Sequence, residues 1–169
     1  MRSHFHALAR SIVHQQVSTQ AARTIWRRCC EATPGRGLGS PEDVLGLDQE
    51  ALRSAGLSNN KTLALLDLAG RIVSGELRLR GLHRRDDAEV VEHLVQVRGI
   101  GEWTAQMFLL FRLGRPDVMA PGDMGLQEGL RLLDGLEERP GPRELAERSE
   151  AWRPLRSVAS WVLWRLTDA

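Results

Sequence analysis

The sequence contains no tyrosine, a single lysine and only two cysteines. Cys29 and Cys30 are neighbours in a helical pattern, so they cannot readily bridge one another, and two thiols are too few ligands for a metal site. A disulfide scaffold is excluded, and a reducing cytoplasm is the expected compartment. No apolar run reaches the roughly 20 residues that a membrane-spanning helix needs. The opening Met1-Arg2-Ser3-His4 lacks the apolar stretch and small-residue cleavage site of a secretory signal, so none is expected. Charge of one sign is lacking too: 23 Lys and Arg face 22 Asp and Glu, for a net +1 in 169 residues. That excludes a uniformly basic protein that coats DNA. The length suits one domain, or two small lobes sharing the chain.

What is present is arginine, helix and an uneven distribution of charge. Lys61 is the only lysine, so nearly every cation is arginine. A GC-rich genome accounts for most of that bias, and the planar guanidinium fork also suits phosphate. Arg78, Arg80, His83, Arg84 and Arg85 cluster ahead of a glycine turn, whereas Asp134, Glu137, Glu138, Glu144, Glu147 and Glu150 make a later segment acidic. A neutral total therefore conceals a basic stretch.

Helical periodicity runs through the chain and no strand alternation persists. Phe5, Leu8, Ala9, Ile12 and Val13 repeat at helical spacing, and Ser18 is the N-cap expected for a helix carrying Ala22, Ile25, Trp26 and Cys29. Ser40-Pro41-Glu42-Asp43 reads as cap, first-turn proline and acids at the positive helix end. Asp48 and Ser58 are further caps, with Gly56 and Gly75 ending helices over 49–55 and 59–74. Residues 76–85 read as an extended loop, after which Asp86 caps a helix with Val90, Val91, Leu94 and Val95 inward. Further helices are expected from Glu102 to Leu113, from Asp123 with Leu126, Leu130 and Leu133, near 142–150, and from Pro154 to Thr167 with Leu155, Val158, Val162 and Leu166 on one face.

The stretch from Val97 to Leu126 organises the rest. Gly99-Ile100-Gly101 is a tight turn between two helices, and exposed N–H groups beside a helix N-terminus can bind a phosphate. An isolated G-x-G is more often an ordinary turn. Here Pro121-Gly122-Asp123 follows, a lone carboxylate at a helix start. A backbone phosphate grip followed by one positioned acid points to an enzyme that holds DNA and does chemistry on it. A plain N-cap is the alternative reading of Asp123.

Those two segments, together with Trp103-Thr104-Ala105, Ile12-Val13-His14-Gln15-Gln16-Val17-Ser18, Ala55-Gly56-Leu57-Ser58 with Lys61, and Trp152-Arg153-Pro154-Leu155-Arg156-Ser157, resemble the helix–hairpin–helix (HhH-GPD) DNA glycosylase superfamily. The similarity is closest to its 3-methyladenine glycosylase II branch and covers almost the whole chain. It implies an all-α fold of two small helical lobes with a DNA and base cleft between them. Residues 1–169 would form one domain, with one lobe over about 17–113, its hairpin at 86–113, and the other over about 1–16 plus 114–169.

The resemblance also implies roles. Asp123 would be the catalytic carboxylate that stabilises an oxocarbenium-like sugar. Gln16 would intercalate where the flipped base leaves a gap. Trp103, Met107, Trp164 and His14 would line the base pocket, whereas Trp26 and Trp152 are assigned to the core and Trp161 is left open. Arg98, Gly99, Ile100, Gly101 and Thr104 would bind phosphate, and the carbonyls of Val95, Val97 and Ile100 would hold a monovalent cation, Na or K. Lyase members carry a lysine two residues after the second hairpin glycine, where this chain has Trp103, so no AP-lyase activity is expected. No cysteine follows Cys30, so no iron–sulfur cluster is expected, and no cofactor is required.

The implied activity is hydrolytic release of alkylated purines in base excision repair, by a monomer acting on double-stranded DNA away from any membrane. A non-catalytic helix–hairpin–helix binding module, or a monofunctional glycosylase for mismatched or oxidised bases, are the alternatives.

Overall fold

The computed structural model describes residues 3–35 and 37–168. Among these residues all regular structure is helical, without a strand, and no helix is long and apolar enough to cross a membrane. The chain divides into two compact units, Met1–Glu102 and Trp103–Ala169.

Among the described residues the first unit holds six α-helices: α1 His4–His14, α2 Thr19–Glu31, α3 Pro41–Leu45, α4 Gln49–Ser54, α5 Asn59–Ser74 and α6 Asp87–Leu94. Their starts follow the cap residues. Ser18, Ser40, Asp48, Ser58 and Asp86 each accept the backbone N–H three residues on, and Ser40 and Asp86 complete reciprocal capping boxes. Gly75 ends α5 in the left-handed region, where a side chain would be strained. α1 packs on α2 and α5, and α3 and α4 also pack on α5. Residues 1–16 therefore group with this unit, and the division falls at Glu102, unlike the expected lobes of 17–113 and 1–16 plus 114–169.

Two local expectations need correction. Residues 76–85 are not wholly extended, because Leu82–Arg84 form a 3₁₀ turn with Leu77 and Leu82 buried. On α6 only Val90 and Leu94 are buried; Val91 is half-buried and Val95, already the C-cap, is exposed.

The division falls at the first residue of α7 (Glu102–Phe108), which in the second unit passes into a π-helical turn over Leu109–Leu113 instead of continuing as α-helix. α8 Met124–Asp134, α9 Pro142–Ser149 and α10 Arg156–Thr167 follow. The core gathers Met119, Ala120, Leu126, Leu130, Leu145 and Leu163. α8 and α10 approach so closely that a Cβ on Gly129 would lie 2.4 Å from the Leu163 carbonyl oxygen.

That approach reverses the expected face of α10. Ser157, Ser160 and Leu163 point inward, whereas Leu155, Val158 and Val162 are all more than half exposed. Small side chains permit the contact, and they also hold the preceding loop. Ser157 Oγ donates to the Arg115 carbonyl at 2.6 Å and accepts the Val118 N–H at 3.0 Å. The Arg156 guanidinium binds Asp117 at 2.7 Å and holds its carboxyl below the usual carboxylate range. Leu133 of α8 is likewise exposed, while Leu166 packs partly against the core.

Candidate active site

Asp123 closes the loop that precedes α8. Its N–H donates to the Ala120 carbonyl at 2.9 Å, and the Gln127 side chain ties down the Pro121 carbonyl at 2.8 Å. With φ −78° and ψ 117° it is the N-cap of α8, and its Oδ1 accepts the Leu126 N–H at 2.9 Å. Asp123 is thus the N-cap that the alternative reading expects, and its carboxylate carries further contacts. Oδ2 accepts the Trp103 indole N–H at 2.7 Å, and Oδ1 also accepts the Trp164 indole N–H at 3.0 Å. All three donors are neutral, so they orient the anion without cancelling its charge. Gly125 leaves room for this, since a Cβ there would meet both Asp123 Oδ1 and Trp164 Cδ1 at 3.1 Å.

Trp103 is 45% exposed, so its ring remains open while its N–H is engaged. Trp164 and Met107 are half-buried and pack against the core of this unit, as does Trp152, which matches its assignment. Trp26 is half-buried beside His6. Trp161 is exposed and meets both Trp164 and Phe111 edge-on, at 6.1 and 5.6 Å between ring centroids. Phe111 stacks on Trp164 at 5.8 Å and 19°. The sequence reading missed Phe111. The available signal is its spacing, since Trp103, Met107 and Phe111 recur every four residues in the helix expected from Glu102 to Leu113.

The remaining expected residues lie in the first unit. Gln16 is exposed and has a φ of +52°, the one described non-glycine residue in the left-handed region. Its neighbours are pinned. The Gln15 amide donates to the Gly99 carbonyl at 2.9 Å, and the Lys61 ammonium donates to the carbonyls of Val13, at 2.9 Å, and Gln15. Burial pulls the Lys61 pKa down. His14 engages the Arg10 carbonyl at 2.9 Å through Nδ1, within its own helix, and burial foremost lowers its pKa. It shares no unit with Trp103, Met107 and Trp164.

The hairpin separates its two glycines. Gly99 has φ +76°, and a Cβ there would lie 3.1 Å from that of Ala64, so the fold demands glycine. Gly101 lies outside the left-handed region and a Cβ would meet nothing within 4 Å. Its missing side chain leaves the backbone bare. The Ile100 N–H is already given to the Val97 carbonyl at 3.0 Å. Ile100 and Thr104 are buried, so neither side chain is presented for the expected phosphate contact. The Arg98 N–H is held by Asp67 at 2.8 Å, while its guanidinium reaches Asn60 at 3.5 Å. Of the carbonyls expected to face a cation, that of Val97 already accepts one bond, and Val95 lies at the exposed helix end. Cys29 is buried, and burial foremost, then Cys30, pushes its thiol up to about 11, which suits an inert core residue.

The family model described as HhH-GPD superfamily base excision DNA repair protein matches residues 9–154. DNA-3-methyladenine glycosylase 1 of Schizosaccharomyces pombe is 32% identical over 162 residues, covering 95% of this chain and 71% of the relative. A solved 3-methyladenine DNA glycosylase from the same yeast, in complex with abasic DNA, superposes with a TM-score of 0.88 at 31% identity, covering 98% of this chain and 81% of that one. A DNA-3-methyladenine glycosidase from Bacillus halodurans superposes with a TM-score of 0.89 at 38% identity, covering 98% and 76%.

Proposed function

This chain belongs to the HhH-GPD superfamily of base excision DNA repair proteins, and on that premise we propose that it is a monofunctional DNA glycosylase that hydrolyses alkylated purines, of the 3-methyladenine type, from double-stranded DNA. The observation that carries this reading is the Asp123 carboxylate, held on both oxygens by neutral N–H groups.

A base inside a duplex must first be flipped out, at a cost of a few kcal/mol. Gln16 is the proposed plug, supported by its exposed, strained and firmly anchored position. As the C1′–N bond breaks, its electron pair leaves with the base and positive charge develops on the sugar. Asp123 stabilises that charge and orients the water whose oxygen bonds to C1′. An N-alkylated purine is already cationic and departs neutral, so no strong general acid is needed. Trp103, Met107 and Trp164 are proposed to serve the base pocket, with the open Trp103 face suited to a cationic base. An indole nitrogen commits its lone pair to the ring and is no amine nucleophile, so Trp103 supports hydrolysis without lyase chemistry.

The bare backbone at Gly101 is the proposed phosphate contact, with Arg98 beside it. Hard backbone oxygens at Val95, Val97 and Ile100 fit a monovalent cation, and among the described residues no His, Cys, Asp or Glu cluster offers a competing metal site. The protein is read as a cytoplasmic monomer that requires no other cofactor.

The test is incubation with methylated duplex DNA, chromatography of released bases, and a parallel check for strand breaks without alkali. Free 3-methyladenine or 7-methylguanine with intact strands is expected. Strand breaks would overturn the monofunctional reading. Salt-sensitive DNA binding without base release would favour a non-catalytic module.

A further inference from the structure

Resting on that reading, we propose that Trp103, Trp164 and Phe111 are positioning residues that act through Asp123, forming a bracket that fixes the plane of its carboxylate. A carboxylate turns easily about its last torsion, whose energy wells are broad. The N-cap bond to Leu126 holds Oδ1 and leaves the plane free to swing about that contact. The Trp103 N–H removes the freedom by engaging the other oxygen at 2.7 Å, and the Trp164 N–H adds a second hold on Oδ1 at 3.0 Å.

The donors are themselves held. Trp164 has its Cδ1 edge over the bare Gly125, its body against the core and a ring face under Phe111. Phe111 is 57% exposed, yet it stacks at 5.8 Å on the indole that carries the hydrogen bond. Stabilising a developing cation demands an anion whose geometry is set in advance, since reorientation during the reaction raises the barrier. An indole donates along its edge and recognises cations with its face. Phenylalanine keeps the face and loses the donor, so the two roles are separable.

Trp103→Phe is expected to slow single-turnover base release about ten- to a hundred-fold. The loss should be equal for cationic 3-methyladenine and for a neutral deaminated base, with DNA affinity unchanged. The same change adds little to Asp123→Asn, because the group it acts through is already gone. Phe111→Ala slows release with an unaltered Tm, and Phe111→Tyr restores it. A loss confined to the cationic base, or a full additional loss in the Asp123→Asn background, overturns the bracket.

A readout independent of activity separates this inference from the proposed function. Of the five indole N–H resonances, Asp123→Asn should move two, assigned by their disappearance in Trp103→Phe and Trp164→Phe. If neither moves, the bracket is wrong. If both move and the wild-type protein releases no base, the glycosylase reading falls and the bracket stands.

Discussion

The Gln16 loop and hairpin of the first unit and the Asp123 site of the second are held by opposite means. Around Gln16, side chains grip backbone: Lys61 takes the Val13 and Gln15 carbonyls, Gln15 takes the Gly99 carbonyl, and Asp67 takes the Arg98 N–H. Around Asp123, side chains also grip a side chain, with two indoles on one carboxylate. The first arrangement depends on one identity per contact, because every residue supplies the other partner. The second depends on both. A loop that must present a residue needs its backbone fixed, whereas a group that must meet a reacting atom needs its terminal oxygens fixed.

The sharpest break comes at the carboxylate. Asp123→Asn keeps a cap and the fold but loses the charge, and base release should fall at least about a hundred-fold with Tm nearly unchanged. Single-turnover excision beside a thermal melt checks it; near-normal excision would remove Asp123 from the chemistry.

On the other side of the comparison, Lys61→Met strips donors from two carbonyls and should cost about 1–3 kcal/mol of stability. It should also slow excision, since the Gln16 loop loses its anchor. Denaturant titration and excision rates together show whether the loop and the activity fall in step.

The hairpin glycines should part company. Gly99→Ala forces a side chain into φ +76° and against Ala64, costing about 1–3 kcal/mol. Gly101→Ala meets nothing in the protein, so it should leave Tm unchanged while weakening DNA binding about tenfold, if phosphate approaches there. Equal effects on Tm would erase the distinction.

The smallest effect is a pH slope in the first unit. His14 and His93 both have pKa values lowered chiefly by burial. Below the ordinary histidine value of about 6.5 the unfolded chain binds more protons than the folded one. Their contribution is therefore complete above that value and declines as pH falls towards the folded values. His14→Gln with His93→Gln should flatten this part of the stability curve.

Much of this architecture is legible in the sequence because caps and left-handed glycines act locally. Ser18, Ser40, Asp48, Ser58, Asp86 and Asp123 each bond a neighbour three residues away, and that neighbour's N–H is always present. Asp123 stood out as the lone acid at a helix start after a Pro-Gly loop. Its indole partners did not, because ring orientation depends on how α10 packs on α8. Apolar periodicity chose the wrong side of α10 for the same reason: the inward face is built from Ser157 and Ser160, which hydrogen-bond a loop some forty residues away in sequence. Lys61 matched a motif, but its acceptors are carbonyls, which no residue name reveals. Phe111 lies within the π turn at Leu109–Leu113, where the sequence reads as a continuous helix from Glu102 to Leu113.

Gly129 has no functional group, and what a Cβ there would meet first is the backbone of Leu163, yet the position spaces two helices that carry Asp123 and Trp164. Asp123 begins α8, and Trp164 follows Leu163 on α10, so the gap between those helices is also the gap across the Trp164–Asp123 bond. Where a Cβ would stand 2.4 Å from the Leu163 oxygen, one methyl acts as a shim. It would lift α10, carry the indole with it, and lengthen a hydrogen bond that now measures 3.0 Å. The length of that hydrogen bond is thus set at a position where the adjusting part is an absent atom.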